Sequence, residues 1–312
     1  MVRYQRSWLG AEAQTKLKLN LEMEAYSDTE LEWLAPGEPL ILGLRHSISH
    51  GPTPATPALA EVVTTPIVPE EHREAFAHYF GDKAPMTLEL RIGLTGGQHL
   101  TLSSPPFHGP SLENPEAQIR WQGLKGTADI ARGGDSATFH LEAPGLDVTG
   151  EKANFTLNRV SIDSDLHRQA GDLWLGETEL VAEGAQIDER TAEDGDPDHA
   201  VLRGLRIRQH ISRENDAELL RLQGSWELDQ ATIDEQALRD ATLALELRHL
   251  DAEVSQEFKR RFEDLQRQAL PQEEMANRTL VLVQELLPRF LERSPEMAIT
   301  DLSFDAPQGE FQ

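Results

Sequence analysis

The sequence contains no cysteine, few aromatic residues and no long apolar run. Without cysteine the chain forms no disulfide, and it has no thiolate for catalysis or for a zinc or iron–sulfur site. The densest apolar stretch, 280–283, ends at Gln284 and is far shorter than the roughly 20 residues of a membrane-spanning helix. Hydrophobic residues make up 38% and aromatic residues 6% of the 312 residues, so we expect a thin body rather than a thick core.

Positive charge is also scarce: the chain has 54 acidic and 29 basic residues, and its formal net charge is −25. Such a chain has no basic surface that could neutralise phosphates, so we expect no nucleic-acid partner. An anionic membrane surface is disfavoured for the same reason. The acidic surface is either a solubilising coat or an adaptation to salt, in which counterions screen the charges.

The dominant pattern that is present is alternation of apolar and polar residues. It begins at 15–24 and returns at 154–160, 174–181, 202–211, 220–228 and 243–247. A strand sends successive side chains to opposite faces, so each segment predicts a strand with one apolar and one polar face. We therefore predict a mainly β protein built on an elongated antiparallel sheet, with a curved or grooved shape as one option.

Two segments break the alternation and predict helices. Pro69 and the glutamates after it favour the start of a short helix near 70–80. In 251–292, Asp251 is a good N-cap, and Pro271 divides the segment into two helices. We expect this helical hairpin to lie on the sheet through apolar residues spaced three and four apart: Val254, Phe258, Phe262 and Leu265.

The chain as a whole predicts one elongated β-rich unit. Its parts are an N-terminal lobe at 1–110, a sheet body at 111–250, the hairpin at 251–292 and a returning strand at 293–312. Strand patterns reach both ends without polar tails, so we expect a fragment of a longer protein. The segments 15–24 and 299–304 would then be sheet edges that pair with another strand or are covered by a terminal segment.

Histidines and acidic residues give no metal site by their spacing. His46 and His50 lie four apart in a strand, which separates them by roughly 13 Å, while His72 and His78 lie on different sides of a helix. The acid-rich segment 188–198 lacks the spacing of a calcium-binding EF-hand. A solvated hairpin loop explains it better than a calcium site.

No catalytic or cofactor motif stands out either. The sequence has no Gly-x-Ser-x-Gly and no phosphate-binding glycine loop. With 54 acidic residues, pairs of carboxylates arise by chance and carry no information. We therefore assign no catalytic, cofactor-binding or metal residue, and we expect a protein that is not an enzyme and needs no cofactor.

The tryptophans leave two interpretations open. Trp174 and Trp226 lie in alternating segments, and the others are Trp8, Trp33 and Trp121. Packing in the core explains them in the simplest way. The alternative is an apolar groove that accepts an acyl chain or a partner strand.

Short segments along the chain resemble the YdgA-like proteins, a bacterial cell-envelope family of unknown function. They include Tyr4-Gln5-Arg6-Ser7-Trp8-Leu9-Gly10, Ser104-Pro105-Pro106-Phe107, Trp121-Gln122-Gly123-Leu124 and Leu247-Arg248-His249-Leu250-Asp251-Ala252. The resemblance implies a longer parent with an N-terminal anchor and further C-terminal sequence. It also implies a location on the periplasmic side of the inner membrane, and it supplies no catalytic residue.

Three functions follow from these observations. The first is a non-enzymatic envelope module that binds a partner protein or scaffolds an assembly. The second is a carrier of lipid or another hydrophobic ligand in a β-groove, and the third is a hydrolase with an unrecognised site. A contiguous apolar channel along the sheet would favour the carrier, and a cleft with convergent titratable groups would favour the hydrolase. The sequence leaves the ligand, the partner and the oligomeric state open.

Overall fold

A computed structural model describes residues 3–7, 9–19, 40–53, 57–70, 73–111, 114–151, 153–169, 173–189, 199–216, 218–233, 236–268, 270–307 and 309–311. Nineteen strands and three helices occupy these residues. All strand pairs are antiparallel and belong to one open sheet. The mainly β fold that the alternation predicts is therefore confirmed.

The first nine strands are β1 Arg3–Arg6, β2 Gly10–Leu19, β3 Leu40–His50, β4 Ala60–Ile67, β5 Thr87–Ile92, β6 Gln98–Ser104, β7 Phe107–Pro110, β8 Gln118–Trp121 and β9 Leu124–Ile130. The others are β10 Ser136–Ala143, β11 Leu146–Thr149, β12 Ala153–Leu157, β13 Val160–Arg168, β14 Trp174–Glu189, β15 His199–Arg213, β16 Leu219–Ile233, β17 Gln236–Asp251, β18 Glu296–Ala306 and β19 Gly309–Phe311. The helices are α1 Arg73–Phe80, α2 Ala252–Arg267 and α3 Gln272–Glu292, at the positions that the sequence predicts.

The sheet is a meander in which each full-length strand pairs with the next full-length strand along the chain. Four of its long strands are interrupted, because β6 and β7, β8 and β9, β10 and β11, and β12 and β13 are consecutive halves. Neighbouring interrupted strands pair half with half. β6 pairs with β9 and β7 with β8; likewise, β10 pairs with β13 and β11 with β12. The strand β14 is long enough to pair with both β13 and β12.

The interruptions of neighbouring strands line up as a crease across the sheet. In β14–β17 the pairing skips Glu183, Gly204, Asp229 and Asp240. Gly204 and Asp240 have positive φ angles of 64° and 48°, a conformation that turns a strand out of its extended geometry. The crease separates a main panel from a small panel, which consists of β7, β8, β11, β12 and the adjoining halves of β14–β17.

The predicted docking of the helical hairpin on the sheet is wrong. Phe258, Phe262 and Leu265 pack in one cluster with Val254, and the partners from the other helix are Leu282 and Leu286. The apolar face of α2 therefore forms the interface between the two helices. Within the described residues, the apolar contact between the hairpin and the sheet lies at the start of α2, in a small cluster of Leu173, Leu175, Leu220 and Ala252.

The predicted N-cap of α2 is confirmed, and so is the thin core. The backbone N–H of Val254 donates a hydrogen bond to Asp251 Oδ1 over 2.9 Å. Among the described residues no large side chain is fully buried, as expected for an open sheet. In those same parts of the chain no helix is long and apolar enough to cross a membrane.

The two sheet edges differ in how far they are paired. β1 pairs with 11–14 of β2, which precede the edge that the sequence places at 15–24. Within the described ranges, 15–19 pair with β3 alone, so this part of the predicted edge is open. Residues 20–24 lie outside the described residues. At the other edge β19 pairs only with Phe304, Asp305 and Ala306. The outer side of 296–303 has no partner strand within the described ranges.

Candidate functional site

The strand register gathers apolar side chains on one face of the main panel. Residues directly opposite each other in neighbouring strands share a face. One row across the strands contains Leu88, Leu102, Gly126, Leu141, Ile162, Leu180, Ile207, Trp226, Leu243 and Leu302. The next contains Leu90, Leu100, Ala128, Phe139, Ser164, Thr178, Gln209, Gly224, Leu245 and Ile299.

A third row completes this surface, which we call the apolar face. Its members are Ile92, Gln98, Ile130, Ala137, Leu166, Gly176, Ile211, Leu222, Leu247 and Met297. None of the residues in the three rows carries a formal charge, although 27% of the chain is charged. From β5 to β18 the rows cross ten strands, a distance of roughly 45 Å at the usual strand spacing.

The small panel continues the apolar face across the crease. Its corresponding row contains Phe107, Trp121, Leu146, Leu157, Ala185, Leu202, Ala231 and Leu238. The Trp121 Nε1–H donates a hydrogen bond to Ser104 Oγ in the main panel over 3.2 Å. Ser104 follows Leu102 on the apolar face by two residues, so both apolar surfaces lie on the same side of the sheet.

Little covers this surface. The rings of Tyr79 and Phe80 in α1 lie 4.9 Å and 5.1 Å from the ring of Phe107, between centroids, so α1 closes one end of the small panel. Apart from α1 and the start of α2, no helix and no second sheet packs on the apolar face in the described parts of the chain. Trp226, which lies in the middle of the apolar face, is 37% exposed. The apolar-groove interpretation of Trp226 is therefore the one that this arrangement favours.

The opposite face is polar and is tied together by ion pairs between strands. Arg208 donates hydrogen bonds to Glu179 and Glu227 on its two neighbouring strands, each over 2.8 Å. The hydrogen bond to Glu179 is the main reason why the pKa of Arg208 is raised. His140 Nδ1 lies 2.6 Å from Asp163 Oδ1 in a similar pair. These contacts bridge adjacent strands and strengthen the sheet.

Two histidines of the described residues each have their own contacts. His46 lies between two threonines, with its ring nitrogens 2.8 Å from Thr15 Oγ1 and 2.8 Å from Thr64 Oγ1. His78 Nε2 lies 3.2 Å from the carbonyl oxygen of Pro110. His72 and the segment 190–198 are outside the described residues. No three histidine or carboxylate groups within the described ranges are placed to hold a metal ion.

One constellation on the polar face resembles the geometry of a hydrolase. His99 Nδ1 lies 2.7 Å from Asp129 Oδ1, and its Nε2 lies 3.4 Å from Thr101 Oγ1. The group stands on the flat, exposed side of paired strands. Backbone N–H groups there are engaged in the sheet, so none is available to stabilise an oxyanion. We assign no catalytic residue from it.

The family of the chain follows from a comparison with known proteins. The model of a bacterial protein family of unknown function, DUF945, matches residues 1–312. No curated protein and no solved structure matches the chain. The protein therefore belongs to the DUF945 family of bacterial proteins of unknown function.

Proposed function

We propose that the protein carries a lipid, or another ligand with long hydrocarbon chains, on its apolar face. The observation that supports this is the uncharged surface that crosses ten strands and that almost no other element of the described residues covers. Soluble proteins rarely leave a contiguous apolar surface of this size open to water. A bound hydrocarbon chain removes that surface from water and stabilises the complex by about 25 cal/mol per Å².

A lipid explains the surface better than a protein partner does. Protein interfaces carry roughly one hydrogen bond per 100–200 Å² of buried surface. Polar side chains in the three rows are few, with Ser164, Thr178 and Gln209 in one row and Gln98 in another. Hydrocarbon chains need no hydrogen-bond partners. The resemblance to envelope proteins agrees with a lipid ligand and supports a periplasmic location for the carrier.

Fluorescence of Trp226 tests the proposal directly. A brominated fatty acid quenches a tryptophan that it touches, so we expect quenching in the wild-type protein and less of it in Trp226→Phe. Matched lysine substitutions then probe the two faces of β6: Leu102→Lys places a charge on the apolar face, and Thr101→Lys places one on the polar face. We expect Leu102→Lys to lose binding and Thr101→Lys to keep it. Delipidated wild-type protein that shows no quenching would overturn the proposal.

A second candidate, scaffolding by strand addition, is favoured by the outer edge of β18. This edge is open along 296–303 in the part of the chain that the structure describes, and it presents unpaired N–H and C=O groups to another strand. Met297 is 72% exposed beside it. Analytical ultracentrifugation should then show association that Ile299→Lys weakens, since an edge lysine opposes strand pairing. A protein that stays monomeric at all concentrations would contradict the scaffold.

A further inference from the structure

Exposed hydrophobic side chains are concentrated near the C-terminal end of the described chain. More than half of the large ones lie between Leu280 and Phe311. Four of them follow at spacings of three and four along α3: Leu280, Val283, Leu287 and Leu291. These spacings place the four on one side of the helix. We call them the α3 stripe.

The α3 stripe exists because the apolar arc of α3 is wider than α2 can cover. Leu282 and Leu286 face α2 and are only 2% exposed. Val283 and Leu287 each follow one of these residues by one position, so they lie beside the covered part of the arc. When one apolar side of a helix is covered and another is open, the open side usually packs against a further partner, such as a protein or a lipid surface.

Three arginines of the hairpin pair with carboxylates of the hairpin itself. Arg278 donates a hydrogen bond to Glu274 over 2.6 Å, and Arg289 pairs with Glu257 on α2. Arg261 of α2 pairs with Glu285 of α3 in the same way. The segment 272–293 contains four glutamates and three arginines and so has a formal charge of −1, whereas the whole chain carries −25.

The α3 stripe ends close in sequence to the outermost strand of the apolar face. Leu291 is 56% exposed near the end of α3, and Met297 and Ile299 are 72% and 59% exposed at the start of β18. Met297 and Ile299 belong to the outermost strand in the rows of the apolar face. The chain returns to the sheet between Leu291 and Met297, where the carbonyl oxygen of Ser294 lies 3.3 Å from His249 Nδ1 on β17. The end of the α3 stripe therefore lies near the open edge of the sheet.

We propose that the α3 stripe docks on the surface of a zwitterionic lipid bilayer, and that lipid passes to the apolar face past Leu291, Met297 and Ile299. This inference rests on the proposed carrier function and identifies the source of its ligand. α3 has 21 residues and so offers a helix of about 30 Å that lies flat in the interface with its apolar side inward.

The alternative partners fit the α3 stripe less well. The net charge of −25 opposes an anionic bilayer, because like charges repel at close range. A protein or a second copy needs about 800 Å² per partner with a polar rim. The α3 stripe is a single row of four side chains, which is narrow for such an interface but sufficient for insertion between lipid headgroups.

Flotation with phosphatidylcholine vesicles tests the proposal on the 312-residue protein. We expect the wild type to float with the vesicles and the double variant Leu280→Ser/Leu287→Ser to lose about tenfold in affinity, which is about 1.4 kcal/mol. The matched control is Val281→Ser, because Val281 is an exposed residue of α3 outside the stripe; it should bind as the wild type does. Circular dichroism confirms that each variant keeps its helices.

Two results would overturn the docking proposal, and a separate readout distinguishes it from the carrier function. The first is equal flotation of the stripe variant and the wild type. The second is tighter binding of the wild type to phosphatidylglycerol vesicles than to phosphatidylcholine. Quenching of Trp226 by monomeric brominated fatty acid should stay unchanged in the stripe variant. If Trp226 is quenched in the wild type but the protein does not float, the docking proposal is wrong and the carrier function is retained. If the protein floats but Trp226 is not quenched, the carrier function is wrong.

Discussion

Arg293 donates its Nε–H to Asp251 Oδ2 over 3.1 Å and so joins the end of α3 to the beginning of α2. The same arginine donates an Nη2–H to Glu218 over 2.7 Å. Asp251 Oδ1 meanwhile accepts the backbone N–H of Val254. One carboxylate therefore caps a helix and holds the two ends of the hairpin together where it leaves the sheet.

Substitution of Asp251 separates these two roles. Asn is as good an N-cap as Asp, so Asp251→Asn should keep the cap and lose only the ion pair with Arg293. Asp251→Ala loses both, and we expect it to reduce the free energy of unfolding by about 1 kcal/mol more than Asp251→Asn does. Chemical denaturation followed by circular dichroism measures the difference. Equal stability of the two variants would show that the cap contributes nothing.

Acid should remove the advantage of the wild type over Asp251→Asn. Partial burial alone would raise the pKa of Asp251, but the hydrogen bonds from Val254 and Arg293 outweigh it and lower the pKa below its ordinary value of 3.8. A carboxyl with a lowered pKa stabilises the folded state above its unfolded pKa, and this stabilisation is lost as the pH falls through the folded pKa. The stability gap should be constant near neutral pH and shrink below 3.8. A gap that is unchanged in acid would contradict this pKa shift.

Phe262→Ala should loosen the hairpin and leave the sheet intact. Its ring stacks on Phe258 with centroids 5.8 Å apart and packs among residues of both helices. Truncation of Phe in a core costs about 3–5 kcal/mol, and the lower end applies because Phe262 is half-buried. Hydrogen–deuterium exchange should rise in α2 and α3. Faster exchange in β14–β17 as well would show that the hairpin also packs on the sheet. The control is Arg260→Ala, at an exposed position of α2.

Gly204→Ala should destabilise the crease. Gly204 has a φ of 64°, and a Cβ atom there would lie 1.9 Å from Asp229 Oδ2. The left-handed conformation alone costs an L-residue about 1–2 kcal/mol, and the displaced Asp229 adds to this. Thermal and chemical denaturation measure the loss. Gly97→Ala is the control, since its Cβ would make an ordinary 3.6 Å contact with the Ile130 carbonyl oxygen; equal effects of the two would contradict strain at the crease.

Removal of metal ions should leave stability unchanged. This prediction covers the histidines and the acid-rich segment 188–198, most of which lies outside the described residues. A protein that binds a metal only in its folded state loses stability when the metal is removed. The measurement is the melting temperature with and without EDTA. A fall of several degrees that calcium or zinc restores would show a metal site.

Secondary structure was readable in the sequence because its signals are local. Alternation at 243–247 or at 220–228 is a property of one strand, and an N-cap such as Asp251 needs only the residues that follow it. The apolar side of α2 was readable too, but its partner was not. Phe258 and Phe262 could have been buried by a sheet or by another helix, since either removes the same surface from water.

The continuity of the apolar face was settled only by strand register, which depends on long-range pairing. Leu102, Ile162 and Leu243 lie far apart in the chain, and a shift of one residue in any pair would break their row. The crease is similar: Pro105-Pro106 and Gly123 each look like a loop, and only the pairing of neighbouring strands aligns them. Alternation predicts that each strand has an apolar face. Tertiary structure decides whether these faces join, because hydrogen bonds between strands set which residues lie side by side.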